Sequence, residues 1–157
     1  MADDEQRPVP KIELEYAFSV RIFFKERIEF QAPNHGRGYV PPASGEVWGP
    51  RLQGKVVPYS GADYAIFQDI GKTGIHINTH YMLQADDGAW IYIRNIGYLH
   101  RLPLFEGTEG GRTYFRMTPY FDAPVGPHDW MTRTIIVGTA ERRSNPDHSL
   151  FTYYAVK

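Results

Sequence analysis

The chain has 157 residues, which suits one domain with a hydrophobic core of its own. Its formal net charge of −1 gives no basic field for nucleic acid or an anionic membrane, and the absence of cysteine excludes disulfides, thiol catalysis and Cys-ligated zinc. No apolar run approaches the roughly 20 residues of a membrane-spanning helix. We therefore expect a soluble, cytoplasmic protein that binds neither nucleic acid nor membrane.

The N-terminal segment MADDEQRPVP is acidic, contains proline and lacks the apolar stretch of a signal peptide. We expect residues 1–10 to form a disordered leader and residues 11–157 to form a single β-barrel domain. The first strand is predicted within residues 11–24, KIELEYAFSVRIFF, where apolar and polar side chains alternate. The following RIEFQAP either continues this strand or forms the next one.

The rest of the chain contains further strands separated by loops rich in glycine and proline. Two long strands are predicted at residues 74–85 and 89–100, and three later ones in RTYFRMTPYFD, WMTRTIIVGTAER and HSLFTYYAV. No segment has sustained helical periodicity. Roughly eight to ten strands at a spacing of about 12 residues predict an all-β protein, a single antiparallel and mostly up-and-down, calycin-like barrel. Such a barrel encloses either side chains or one small ligand.

Two histidines, His76 and His80, have a spacing that chelates one metal ion on a helix. Their neighbours, however, are typical of a strand, in which residues i and i+4 lie roughly 13 Å apart. One zinc ion needs both nitrogen ligands within about 2.1 Å. We therefore predict no metal, and because no glycine pattern for a dinucleotide is present, no cofactor.

The segment ADDGA between the two long strands fits a three-residue hairpin loop with Gly88 in the left-handed conformation. This loop pairs Ala85 with Ala89 and places His80 opposite Arg94. A two-residue turn would instead shift the register by one position. We expect the first register.

One face of this hairpin is apolar, and the other is polar and aromatic. The polar face carries His76, Asn78, His80, Tyr92, Arg94 and Tyr98. It is either a solvent-facing or subunit-facing outer surface, or the lining of a lumen. Tyr, His and Arg together can bind an aromatic or anionic ligand, and the lack of Lys and Glu on this face favours the lumen. A pocket of typical ligand size would have a volume of roughly 300 Å³ or more.

Three further residues are candidates for the site. Asp63 in GADY is either a turn aspartate or a carboxylate at the mouth of the barrel that acts as a base or orients one. Arg116 lies on a strand, either at the surface or as an anion anchor inside. Trp130 opens a predicted strand as a core or rim aromatic.

The order of several motifs resembles the domain of unknown function 3237 family over roughly residues 12–156. The motifs are GEVWGPRLQGKVVPYSGADY, YMLQADDGAWIYIRNIG, YFRMTPYFD and WMTRTIIVG. The resemblance implies an antiparallel β-barrel and no established activity.

By motif, Asp63 matches the acidic residue after Gly-Ala in the family, and Arg116 matches the arginine of YFR. Tyr64 stands where tryptophan is commoner in the family, and Asn78 and His80 stand where an aspartate and an arginine are expected. Histidine exchanges protons near neutral pH and arginine does not. This difference from the family favours a specialised acid–base site.

The leading hypothesis is a cofactor-independent isomerase, lyase or cyclase that acts on an apolar aromatic or polyketide-like metabolite. His80 is the predicted acid or base, Arg94 or Arg116 holds developing negative charge, and Asp63 is a second base or an orienting group. The predicted ligand-binding residues are His76, Asn78, Tyr64, Tyr92, Tyr98 and Trp130. The alternative is a non-catalytic carrier barrel with the same pocket. The aromatic strands also predict a homo-oligomer, with a dimer favoured.

Overall fold

Twelve strands and one short 3-10 helix make up the computed structural model, which describes residues 7–68, 73–101 and 113–157. The strands are β1 (Leu14–Phe24), β2 (Ile28–Gln31), β3 (Gly36–Tyr39), β4 (Pro42–Trp48), β5 (Gly54–Val56), β6 (Ala62–Asp63), β7 (Ile66–Phe67), β8 (Gly74–Ala85), β9 (Trp90–His100), β10 (Tyr114–Asp122), β11 (Ile136–Arg143) and β12 (His148–Val156). The 3-10 helix spans Asp129–Thr132 and precedes β11. Within the described ranges, no helix is long and apolar enough to cross a membrane.

Eight of the strands close into an antiparallel barrel in the order β8-β5-β4-β1-β12-β11-β10-β9, because β8 pairs with both β5 and β9. Strands β5, β6 and β7 pair in succession along one edge of β8. The β2–β3 hairpin extends from β7. The predicted all-β barrel is confirmed, and β8 to β12 follow the predicted up-and-down order.

The β8–β9 hairpin has the predicted register. His80 pairs with Arg94, and the nitrogen of Ala85 donates a hydrogen bond of 2.9 Å to the oxygen of Ala89. Gly88 has a φ of +90°, the left-handed conformation that the three-residue loop requires. The turn chemistry therefore determines which side chains share a face of these two strands.

The barrel end near this hairpin turn is filled by side chains. Phe18, Phe121 and Tyr153 form a buried aromatic cluster with ring centroids 5.2–6.1 Å apart. The 3-10 helix packs Met131 against the same core, and His128 Nε2 lies 2.7 Å from Asp87 Oδ2 of the hairpin turn. Packed side chains therefore leave little space for a ligand at this end in the described part of the chain.

One detail of the sequence prediction was wrong, and another lies partly outside the described residues. Trp130 does not open a strand, because β11 begins at Ile136 and Trp130 lies in the 3-10 helix. Hydrogen bonds from side chains to the local backbone stabilise that helix; for example, Thr132 Oγ1 donates a hydrogen bond of 2.7 Å to the backbone oxygen of Asp129. Such local hydrogen bonds compete with strand pairing. The predicted leader includes residues 1–6, which lie outside the described residues.

Candidate functional site

The polar face of the β8–β9 hairpin points away from the barrel interior. On β8, Ile77, Thr79 and Tyr81 are buried, whereas the alternating His76, Asn78 and His80 are partly exposed. The same alternation on β9 leaves Arg94 and Tyr98 exposed and Tyr92 partly exposed. The interpretation of this face as the lining of a lumen is therefore wrong.

Side chains on this outer face contact one another. His80 Nδ1 lies 2.5 Å from the hydroxyl of Tyr92, and the rings of His76 and Tyr98 are 5.1 Å apart. Arg94 Nε donates a hydrogen bond of 3.5 Å to Asn78 Oδ1. The six predicted hairpin residues are thus brought together, but on the surface.

Three further predicted site residues, Arg116, Tyr64 and Trp130, lie apart from each other. Arg116 is exposed on β10 next to Tyr98, and its guanidinium lies 5.4 Å from the ring of Tyr114. Tyr64 is 47% exposed. Trp130 lies at the packed end, with the guanidinium of Arg51 3.8 Å from its ring centroid. None of these three lines the cavity described next.

A cavity occupies the barrel end opposite the hairpin turn. Its apolar walls include Ile22, Ile77, Leu99, Phe115 and Phe151. These side chains come from β1, β8, β9, β10 and β12, so the wall extends around most of the barrel.

The volume of this cavity is about 150 Å³. This volume is smaller than the roughly 300 Å³ of a typical ligand pocket. It matches the volume of about 150 Å³ of an engineered apolar cavity that binds benzene. This cavity is therefore smaller than the expected pocket of typical ligand size. A single ring fits, and a larger metabolite would insert only one of its parts.

Arginines and carboxylates surround the mouth of this cavity. Arg27 Nη2 donates a hydrogen bond of 2.8 Å to Asp147 Oδ2, Arg142 also contacts Asp147, and Arg142 Nη1 donates a hydrogen bond of 2.9 Å to Ser149 Oγ. Burial lowers the pKa of Arg142, and the negative charge of Asp147 partly offsets this decrease. Both arginines are therefore held in place beside the opening.

Asp63, at the end of β6, is the predicted catalytic residue that does line the cavity. Its Oδ1 accepts a hydrogen bond of 3.0 Å from the backbone nitrogen of Asn78. Burial raises the pKa of this carboxyl, while hydrogen bonds from Asn78 and Thr79 and the charges of His76 and Arg27 oppose the rise. A carboxyl group with a raised pKa is suited to proton transfer.

Polar groups also lie deep in the barrel, and sequence reasoning missed them. Tyr81 and Asn95 line the cavity, and each is only 1% exposed. Asn95 follows Ile91 and Ile93 on the apolar face of β9, where a polar residue is an informative exception. Arg27 and Arg142 were also missed, because Arg27 lies in the loop between β1 and β2 and Arg142 lies on β11, far away in the sequence.

No group of three His, Cys, Asp or Glu side chains in the described ranges is arranged to hold a metal ion. The absence of a metal and of a cofactor remains a prediction.

The family model described as Protein of unknown function (DUF3237) matches residues 12–156. This chain belongs to that family. The resemblance inferred from the motifs is confirmed. A UPF0311 protein of Clostridium acetobutylicum is 32% identical over 127 residues, which cover 76% of this chain and 77% of that protein.

Solved structures share the barrel. A β-barrel-like protein from Acinetobacter baumannii matches with a TM-score of 0.83 and 27% identity, covering 97% of this chain and 100% of that one. An enzyme from Penicillium herquei matches with a TM-score of 0.71 and 18% identity, covering 97% of this chain and 98% of that one. At 18% identity the second likeness shows the fold alone.

Proposed function

We propose that this barrel binds a small apolar or aromatic metabolite and performs cofactor-independent acid–base chemistry on it, as an isomerase, lyase or cyclase. Asp63 is the proton-transferring group in this proposal. The observation that carries it is the position of one carboxyl with a raised pKa on the wall of an otherwise largely apolar cavity.

Asp63 has the environment that acid–base chemistry needs. A carboxyl whose pKa moves towards neutrality can accept a proton in one step and return it in the next. Arg27 and Arg142 lie at the same cavity and would stabilise negative charge that develops on the ligand. Isomerisation, elimination and cyclisation need little more than these groups and a bound substrate held in position.

The proposal changes the roles predicted from the sequence. His80, Arg94 and Arg116 lie on the outer face, separated from the cavity by the sheet. Proton transfer requires a hydrogen bond to the substrate, directly or through one water. We therefore assign the acid–base role to Asp63 and the charge-stabilising role to the arginines at the mouth.

The second candidate function is a non-catalytic carrier. The observation in its favour is that Asp63 already accepts a backbone hydrogen bond from Asn78, as a structural aspartate would. The Penicillium herquei structure shows that an enzyme can have this fold, and at 18% identity it does not decide between the two candidates.

Native mass spectrometry of the protein after exposure to a metabolite extract would identify a ligand, and conversion of that ligand would then be measured. The enzyme proposal expects turnover by the wild type and a loss of about 10²-fold or more in Asp63→Asn. The matched control is His80→Ala, which removes an imidazole from the outer face. Binding without turnover by the wild type would support the carrier, and full conversion by Asp63→Asn would refute the role of Asp63.

A further inference from the structure

The inner end of the cavity carries polar atoms without hydrogen bonds. Four buried side-chain polar atoms lack a partner within the described ranges, and three of them are Tyr81 Oη, Asn95 Oδ1 and Tyr153 Oη. Tyr81 and Asn95 line the cavity, and Tyr153 is fully buried. Native proteins rarely leave such groups unpaired, so this cluster is an exception that requires an explanation.

The three side chains come from β8, β9 and β12 and lie close to one another. Burial raises the pKa of both phenols, so both stay protonated. Polar contacts between Tyr81 and Tyr153 and between Tyr153 and Asn95 also shift the pKa values of the phenols, so the side chains are neighbours, but Tyr81 Oη, Tyr153 Oη and Asn95 Oδ1 have no partner within hydrogen-bond geometry among the described residues. Each protonated phenol can therefore donate and accept a hydrogen bond at the end of the cavity.

We infer that the cavity takes a ring that bears a hydroxyl group, with the hydroxyl inserted towards Asn95 and Tyr81. The inference rests on the proposed function only in that the cavity binds a small molecule. It names the chemical class of the part that enters: an apolar ring with one group that both donates and accepts a hydrogen bond.

The unpaired atoms select a hydroxyl over other polar groups. Asn95 Oδ1 can only accept, so a ligand carbonyl would leave it unpaired, whereas a hydroxyl donates to it and accepts from Tyr81. A hydroxyl also fits either orientation of the Asn95 amide. The ring is selected by volume, because about 150 Å³ between apolar walls matches a benzene-sized group.

A bound water would offer the same hydrogen bonds, but it would leave the apolar walls without contacts. Phenol and toluene distinguish the two cases, because they are nearly the same size and phenol carries a hydroxyl where toluene carries a methyl group. A cavity without polar recognition prefers toluene, because burying a hydroxyl without a partner is unfavourable. Where a water occupies the polar end permanently, toluene again binds at least as tightly as phenol.

The experiment titrates phenol and toluene into the ¹⁵N-labelled protein and follows the amide signals of the cavity residues. We expect the wild type to bind phenol about tenfold more tightly than toluene, and Tyr81→Phe/Asn95→Leu to reverse this order. The matched control is Ser149→Ala, which removes a buried hydroxyl of the same cavity that already accepts a hydrogen bond from Arg142. It should keep the preference for phenol.

Equal or tighter binding of toluene by the wild type would overturn the inference, as would an unchanged phenol preference in the double variant. If the double variant does not fold, Tyr81→Phe alone removes one oxygen atom and should lower the preference several-fold. Asp63→Asn should keep the phenol preference. If Asp63→Asn loses turnover but the wild type binds toluene more tightly than phenol, only this inference is refuted. If the wild type prefers phenol but shows no turnover of any ligand, only the enzyme proposal is refuted.

Discussion

Asp63 Oδ1 lies 3.0 Å from the backbone nitrogen of Asn78, so a side-chain hydrogen bond reinforces the short pairing of β6 with β8. The same carboxyl lines the cavity. Burial raises its pKa, which means that the charged form is held there at a cost that the hydrogen bonds offset only in part. One side chain thus combines a structural bond with the chemistry that a ligand would meet.

Substitution of Asp63 should affect turnover far more than substitution of the outer histidine. Asp63→Asn keeps an acceptor for the nitrogen of Asn78 but cannot transfer a proton, so kcat should fall by about 10²- to 10⁴-fold. His80→Ala should keep most of the activity, since His80 lies on the opposite side of β8. Steady-state kinetics on the ligand identified by mass spectrometry would test this. Equal losses in the two variants would contradict the assignment.

The raised pKa of Asp63 also predicts a pH dependence of stability. The folded protein binds this proton more tightly than the unfolded chain, whose carboxyl titrates near 3.8. The contribution of Asp63 to stability is therefore full below pH 3.8 and is lost as the pH rises through the higher folded value.

Urea denaturation of the wild type and Asp63→Asn between pH 3 and pH 8 measures this effect. Because asparagine does not titrate, the free energy of unfolding of the variant relative to the wild type should increase with pH and then level off. A difference that stays constant or decreases over this range would show that the folded pKa is not raised.

Much of the fold could be predicted from the sequence because it depends on local chemistry. The alternation in β1 and the left-handed Gly88 after two aspartates determine a strand and a hairpin register within a few residues. The 3-10 helix at Trp130 was not predicted, because the composition of this segment is typical of a strand. Hydrogen bonds from local side chains to the backbone stabilise the helix instead of strand pairing. The pairing of β5, β6 and β7 with β8 was not predicted, because each of these strands has only two or three residues and because β5 and β6 do not directly precede β8 in the sequence.

The candidate site was harder to predict, because a strand pattern shows two faces without showing which one is inside. The polar residues around His80 suggested a lumen, yet closure of the barrel directs Thr79, Tyr81 and Asn95 inwards. The useful signal was the polar Asn95 among apolar neighbours on the opposite face. Asp63 was expected to be either a turn aspartate or a carboxylate at the barrel mouth, and it lies at the end of β6 on the cavity wall.

Replacing Asn95 by leucine should stabilise the protein in the absence of ligand. Asn95 Oδ1 is buried without a hydrogen-bond partner in the described ranges, and such a group costs about 1–3 kcal/mol. We expect the free energy of unfolding to rise by about 1 kcal/mol and the Tm by about 2–4 °C. Ser149→Ala, which removes the acceptor of an existing bond from Arg142, should lower both quantities. A strongly destabilised Asn95→Leu would mean that the amide is already satisfied.

Acid should weaken the connection between the hairpin turn and the 3-10 helix. A hydrogen bond from the backbone of Ala89 and contact with His128 lower the pKa of Asp87 from 3.8. Its contribution to stability is therefore present above pH 3.8 and is lost as the pH falls through the lower folded value. The stability advantage of the wild type over Asp87→Asn should shrink in acid, as measured by urea denaturation. Asp86→Asn, at the same turn, is the control and should show a smaller change.

The outer face of β9 and β10 is where the predicted homodimer can be tested. Tyr98 and Tyr120 are 55% and 57% exposed there, beside Arg94 and Arg116, and exposed tyrosine and arginine are enriched at protein interfaces. If a dimer forms through this face, light scattering should give twice the chain mass of 18.0 kDa for the wild type. Tyr98→Lys should then shift the mass towards one chain, because it places a like charge beside Arg116, the cross-strand partner of position 98. Ile135→Ser, 71% exposed before β11, is the matched control and should leave the dimer intact. A wild type that is monomeric at all concentrations would refute the prediction.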